Sequence, residues 1–184
     1  MSWCAQSKGL STRELALYGM LGALMFCSKL ITDALPNIHL VGMLTMVCAL
    51  SFGRRGLIPV YIFVLLTGIF GGFAFWWIPY LYIWALLWLA CLLLPKNMPR
   101  RVAAVVYPIV CSLHGFCFGV LYAPAQALLF GLNFKQTLAW IAAGLPFDII
   151  HGISNLFTGL MVLPLAELCR RLMNGGREKG KEKS

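Results

Sequence analysis

Asp148, His151 and Asn155 stand at i, i+3 and i+7 within the stretch GLPFDIIHGISN. At about 100° per residue, these positions share one face of a helix. A carboxylate, an imidazole and a carboxamide on one face offer a proton relay, hydrogen bonding to a small molecule, or plain hydrogen bonding between neighbouring helices. Pro146 has no N–H to give to the preceding turn and Gly144 lies just before it, so a helix is expected to start or break here. Backbone N–H groups freed by that break would lie beside Asp148. A helix that begins next to an acid and an imidazole is the outline of a small-molecule site.

The chain around these residues is apolar throughout. Of its 184 residues, 60% are hydrophobic and 11% charged, and the mean hydropathy is +0.82. A soluble domain of this size has too much surface for so little polarity, so the expected solvent is the lipid bilayer. A membrane-spanning helix needs about 20 mostly apolar residues. Six candidate stretches follow one another: ELALYGMLGALMFCSKLITDALP, NIHLVGMLTMVCALSF, LIPVYIFVLLTGIFGG, WIPYLYIWALLWLACLLLP, VAAVVYPIVCSLHGFCFGVLYA, and a long last segment from about Thr137 to Met173. Ser11 or Thr12, with Glu14 behind it, is expected to cap the first. The second is short, as suits a tilted span or one that starts partly outside the hydrocarbon. The expected fold is an all-α integral membrane protein, a six-transmembrane-helix bundle over residues 1–173, with 174–184 (NGGREKGKEKS) as a charged, disordered tail.

Basic residues near span ends stay on the cytoplasmic side. Lys8 and Arg13 precede the first span, Arg54 and Arg55 separate the second from the third, Lys96, Arg100 and Arg101 separate the fourth from the fifth, and Arg170 and Arg171 end the sixth. Lys135 alone falls on the other side, so both termini are expected to be cytoplasmic. The isoelectric point of 9.4 then reflects topology and contact with anionic headgroups. No interleaving of basic and aromatic residues points to nucleic acid.

Ionisable groups at membrane depth cost about 2.5–3.5 kcal/mol each on insertion scales, so each needs a partner or a task. Lys29 and Asp33, four apart, suit an ion pair on one helix face, as structure or as part of a site. Asn37 and His39 lie in the link between the first two spans. The link between the third and fourth holds Phe73, Phe75, Trp76, Trp77, Tyr80, Tyr82 and Trp84. An interfacial belt explains part of that density, and aromatic walls that hold flat heterocycles explain the rest. By the charge topology both links lie outside, level with the approach to the last helix.

Other chemistries find little support. Seven cysteines without a CxxC pair suit small apolar packing residues better than disulfides or zinc. His114, His151 and Asp148 make a thin metal set without HExxH or a second acid, so no metal, cofactor or catalytic role is expected. No GxxxxGK[ST] phosphate loop is present, so any ATP-driven step must come from a partner. Gly19 and Ala23, Gly68 and Gly72, and Gly115 and Gly119 are small-xxx-small pairs that permit close helix approach. A proton-coupled secondary transporter using Asp148 and His151, and a structural membrane protein, are the competing readings.

Six spans in a chain of this length, Gly19 and Ala23 on the first, and GLPFDIIHGISN leading into the last resemble the substrate-binding S component of an energy-coupling factor (ECF) vitamin transporter. Such a resemblance implies a high-affinity subunit in a prokaryotic cytoplasmic membrane, capturing a vitamin or related heterocycle from outside. It implies partners too: a transmembrane coupling subunit and two ATPase subunits that drive uptake. Asp148, His151 and Asn155 would then line the pocket, joined by Asn37, His39, Trp77, Tyr80 and Trp84. Gly19 and Ala23 would dock on the coupling subunit, with Gly19 standing where the family carries alanine.

Overall fold

The computed structural model describes residues 9–32 and 38–181, and among them every regular element is helical. Asp33 and Asn37, two of the candidate residues, lie outside the described residues. The helices are α1 (Thr12–Thr32), α2 (Val41–Phe52), α3 (Leu57–Gly71), α4 (Tyr80–Leu93), α5 (Arg100–Phe116), α6 (Phe118–Phe130), α7 (Phe134–Gly159) and α8 (Val162–Lys181). Five helical runs are long and apolar enough to cross a membrane: Thr12–Thr32, Val41–Gly71, Phe75–Leu93, Arg100–Phe130 and Phe134–Gly159.

Local chemistry explains the helix ends. Ser11 caps α1 in a reciprocal box, its hydroxyl taking the Glu14 N–H at 3.2 Å while the Glu14 carboxylate takes the Ser11 N–H at 3.0 Å. Asn133 and Gln136 form the same box at the start of α7, at 3.0 and 2.9 Å. Gly131, at φ +63°, ends α6 in the left-handed conformation that closes many helices, so α6 and α7 are joined by only three residues.

The run from Val41 to Gly71 doubles back at Gly53–Gly56, a turn of sequence GRRG. The indole of Trp84 settles this, because its ring centre lies 5.9 Å from both His39 and Phe63. A straight helix would hold those two residues some 36 Å apart at ~1.5 Å per residue. Both glycines of the turn are needed. Gly53 sits at φ +60°, and a β-carbon on Gly56 would collide with the carbonyl oxygen of Cys48. At 12 residues α2 is short, and it starts beside His39, whose ring lies 4.5 Å from that of His151.

α7 packs chiefly along α5, and glycines set the separation. A β-carbon on Gly115 would stand 2.9 Å from the backbone of Gly152, and one on Gly159 would stand 2.7 Å from the Cα of Pro108. Ser112 fastens the pair by donating to the Gly152 carbonyl at 2.8 Å. On the other side of the bundle, Gly22 lets α1 meet α3 at Ile62 and Pro59. Polar links gather at the end opposite the α6–α7 turn: Glu14 to Arg55 at 2.8 Å, Arg100 to Glu167 at 3.1 Å, and Arg13 to the Leu172 carbonyl at 3.4 Å.

Three sequence expectations change. The chain does not break at Gly144–Pro146: α7 is continuous through both, and Pro146 is exposed on the outward face, where its ring meets no packed neighbour. The long last segment is instead divided at Leu160–Met161, into α7 and α8. Pro164 explains the position, since it has no N–H to give to Leu160. The backbone of α8 stays helical to Lys181, across most of the stretch assigned to a charged tail.

Candidate functional site

α7 buries five residues, Asp148, His151, Gly152, Asn155 and Gly159, and these fall on the one face that the spacing marks out. The glycines carry the contact with α5. The three polar residues are therefore held inside the bundle by the same crossing, at 6%, 1% and 0% exposure.

Trp84 on α4 stands at the centre of what they face. Its ring lies 5.6 Å from His114, 5.8 Å from Phe118, 5.8 Å from Tyr80 and 5.9 Å from His39. His151 closes the circle, 4.5 Å from His39 and 4.9 Å from Phe118. The rings come from five parts of the chain: the approach to α2, then α4, which supplies both Tyr80 and Trp84, and α5, α6 and α7. The GRRG turn brings His39 to this depth, and the glycine crossing brings His151.

The polar atoms of this cluster are short of partners. Among the described residues, Trp84 Nε1, His114 Nδ1, His151 Nε2 and Asn155 Oδ1 are buried and find no hydrogen-bond partner, and the same holds for the hydroxyl of Thr45 on α2. Each such group costs about 1–3 kcal/mol when left unpaired. Native interiors rarely tolerate several together without a reason. The opposite atoms of two of them are fixed: His114 Nε2 lies 3.2 Å from the Ile83 carbonyl, and Asn155 Nδ2 donates to the Cys111 carbonyl at 3.2 Å.

Asp148 behaves differently. Both of its carboxylate oxygens take the N–H of Gly119, at 3.0 and 3.1 Å. Gly119 is the second residue of α6, so its N–H is among the first four of a helix that have no acceptor of their own. The helix break beside Asp148 thus lies in the neighbouring chain segment, at Cys117, and not in its own helix. A negative charge at a helix N-terminus is also favoured by the helix dipole. A β-carbon on Gly119 would collide with that carboxylate.

A cavity of about 270 Å³ opens at the C-terminal ends of α1 and α3, lined by Phe26, Lys29, Thr67, Phe70, Trp76 and Tyr80 among others. Tyr80 is shared, forming the wall of this cavity on one side and touching Trp84 on the other. Trp77 is not part of the cluster. Its indole N–H donates to the Val64 carbonyl at 2.7 Å and its ring packs on Phe73 at 4.9 Å, which fixes the linker to α3.

His151, His39, Trp84 and Tyr80 are thus brought together, Asn155 lies against Gly42, Cys111 and Gly115, Asp148 caps α6, and Trp77 stands apart. His114 and Phe118 belong to the cluster without having been expected in a ligand site. They sit four apart with Gly115 and Gly119, so the small-residue pair that marks the α5–α6 face also marks them. Among the described residues no group of three His, Cys, Asp or Glu is disposed to hold a metal ion. Comparisons with protein-family models, with curated proteins and with solved structures give no match to this chain.

Proposed function

We propose that this chain is a membrane-embedded substrate-capture subunit of the ECF type, binding a vitamin-like heterocycle from outside for uptake driven by partner ATPases. The observation that carries this reading is the set of buried polar atoms on α4, α5 and α7 that find no partner among the described residues. A structural bundle gains nothing from them, whereas a ligand that pairs with them recovers their cost. Counting the two arms of the GRRG hairpin separately gives six crossings. The basic residues gathered at the Glu14–Arg55 and Arg100–Glu167 end support a cytoplasmic position for both termini. The cavity at Tyr80 opens on the opposite, outer side, where a captured nutrient would arrive.

The chain carries no phosphate loop, so uptake needs a coupling subunit and two ATPases. α1 offers a surface for the first of these. Gly19 faces open space and Ala23 is exposed, while Gly22 on the other face is the one spent on contact with α3. Gly19→Leu is expected to abolish uptake in cells that carry the whole transporter while leaving ligand binding by the solitary protein unchanged. Equal loss of both would place Gly19 inside the bundle.

The capture role is tested by purifying the protein in mild detergent, identifying what co-purifies by mass spectrometry, and screening vitamins and their precursors by thermal shift. A ligand at a hundredfold excess over its dissociation constant stabilises the fold by about 2.7 kcal/mol. A well-folded protein that none of them stabilises would remove this reading.

A further inference from the structure

We infer that the open groove along α3 beside the GRRG turn is a site for one anionic phospholipid, with its phosphate on Arg54 and an acyl chain lying along Leu57 to Leu65. Such a site needs the chain to lie in a bilayer and does not depend on the capture role.

The two arginines of the turn are put to different uses. Arg55 is part-buried and gives its guanidinium to Glu14 at 2.8 Å. Arg54 is exposed and, among the described side chains, has no ion pair. The acids described there are held elsewhere: Glu14 by Arg55, Glu167 by Arg100 and Asp148 by the Gly119 N–H. A guanidinium keeps its charge, and its planar fork suits phosphate oxygens.

Leu57, Ile58, Tyr61, Ile62 and Leu65 join Arg54 in lining a groove of about 460 Å³. They recur at three- and four-residue steps from the arginine, so they form one stripe along the helix. Leu57 to Leu65 covers ~12 Å at ~1.5 Å per residue, most of the ~15 Å depth of hydrocarbon in one leaflet. Both flanks are fixed, since Ile62 packs where Gly22 brings α1 close and the Tyr61 hydroxyl donates to the Leu81 carbonyl of α4 at 2.9 Å. That donation also spends the one polar side chain below Arg54. A permanent cation at one end and apolar walls along the rest fit an amphiphile with an anionic head. On the orientation proposed above, Arg54 lies at the level of the cytoplasmic headgroups, where anionic lipids meet basic side chains.

The test uses the full-length protein, free of vitamin, in mild detergent with added dioleoyl phosphatidylglycerol or dioleoyl phosphatidylcholine. Native mass spectrometry reads the lipid retained, and thermal melting reads the fold. Phosphatidylglycerol is expected to be retained about fivefold more than phosphatidylcholine, one molecule per chain at the lowest lipid level that gives binding. Arg54→Gln is expected to erase that preference and Arg54→Lys to keep most of it. Arg101→Gln removes another exposed charge from the same end and is expected to change nothing. Leu65→Trp fills the groove from an exposed position and is expected to lower retention with Arg54 still in place. Equal retention of the two lipids, or equal loss from Arg54→Gln and Arg101→Gln, would overturn the inference. So would displacement of the lipid by inorganic phosphate, because the head alone would then suffice. A lipid-free dimer that Arg54→Gln separates would assign the groove to a second copy of the chain and overturn it as well. None of these readouts involves the vitamin, so the capture reading stands or falls separately.

Discussion

Gly152→Val is expected to lower the melting temperature of the detergent-purified protein and to deplete the folded peak in size exclusion. A β-carbon at this position would collide with the Phe116 ring, and Gly152 itself supplies the backbone that a β-carbon on Gly115 would meet at 2.9 Å. Phe116 is 41% exposed at the end of α5, so rotation of its ring relieves part of the clash. Over-packing a close-fitting interior typically costs about 1–3 kcal/mol, and a cost within that range is expected. The damage would extend to the site, since the same crossing holds His151 and Asn155 against α5. Gly144→Ala is the control. A β-carbon there meets nothing, and replacing glycine by alanine within a helix is worth up to about 1 kcal/mol in the stabilising direction. A Gly152→Val protein as stable as the parent would mean that α5 and α7 do not cross at this point.

Much of the site was legible where the signal was local. The i, i+3, i+7 spacing of Asp148, His151 and Asn155 is a property of one helix, and all three are buried on one face. The capping pair at Ser11 and Glu14 lies within four residues and forms as expected. Small-xxx-small spacing found Gly115 and Gly119, both of which stand in close contacts with α7.

What escaped the sequence depends on partners far along the chain. His39 reaches His151 only because GRRG reverses the chain; Arg54 and Arg55 mark the division between two spans, but nothing local says which distant rings the reversal brings together. Pro146 looked like a break because the rule for proline is local. In the structure α7 runs on through Pro146, which is exposed. The real division at Leu160–Met161 was masked by the continuous apolar stretch GLMVLPLAELC, in which Pro164 was the available signal. Ring density near Trp77 suggested a pocket wall, but an indole N–H is spent on whichever carbonyl packing supplies, here Val64.

Asp148 shows how far a correct placement can leave a role undecided, and a pair of substitutions separates its two possible tasks. Asp148→Ala is expected to destabilise the ligand-free protein by about 1–3 kcal/mol, because it strands the Gly119 N–H in the interior. Asp148→Asn retains one oxygen that accepts from Gly119, and is expected to recover most of that loss, short of the charge interaction with the start of α6. Stability alone therefore ranks the parent first, then Asn, then Ala. Binding adds the second axis. If the carboxylate acts only as a cap, the Asn protein binds its ligand nearly as the parent does, because the ring cluster keeps its shape. If the carboxylate also accepts a hydrogen bond from the ligand, Asn loses affinity by about tenfold or more while remaining folded, since its amide donates where an acceptor is needed. An Ala protein as stable as the parent would remove the cap itself, and with it the reason α6 begins where it does.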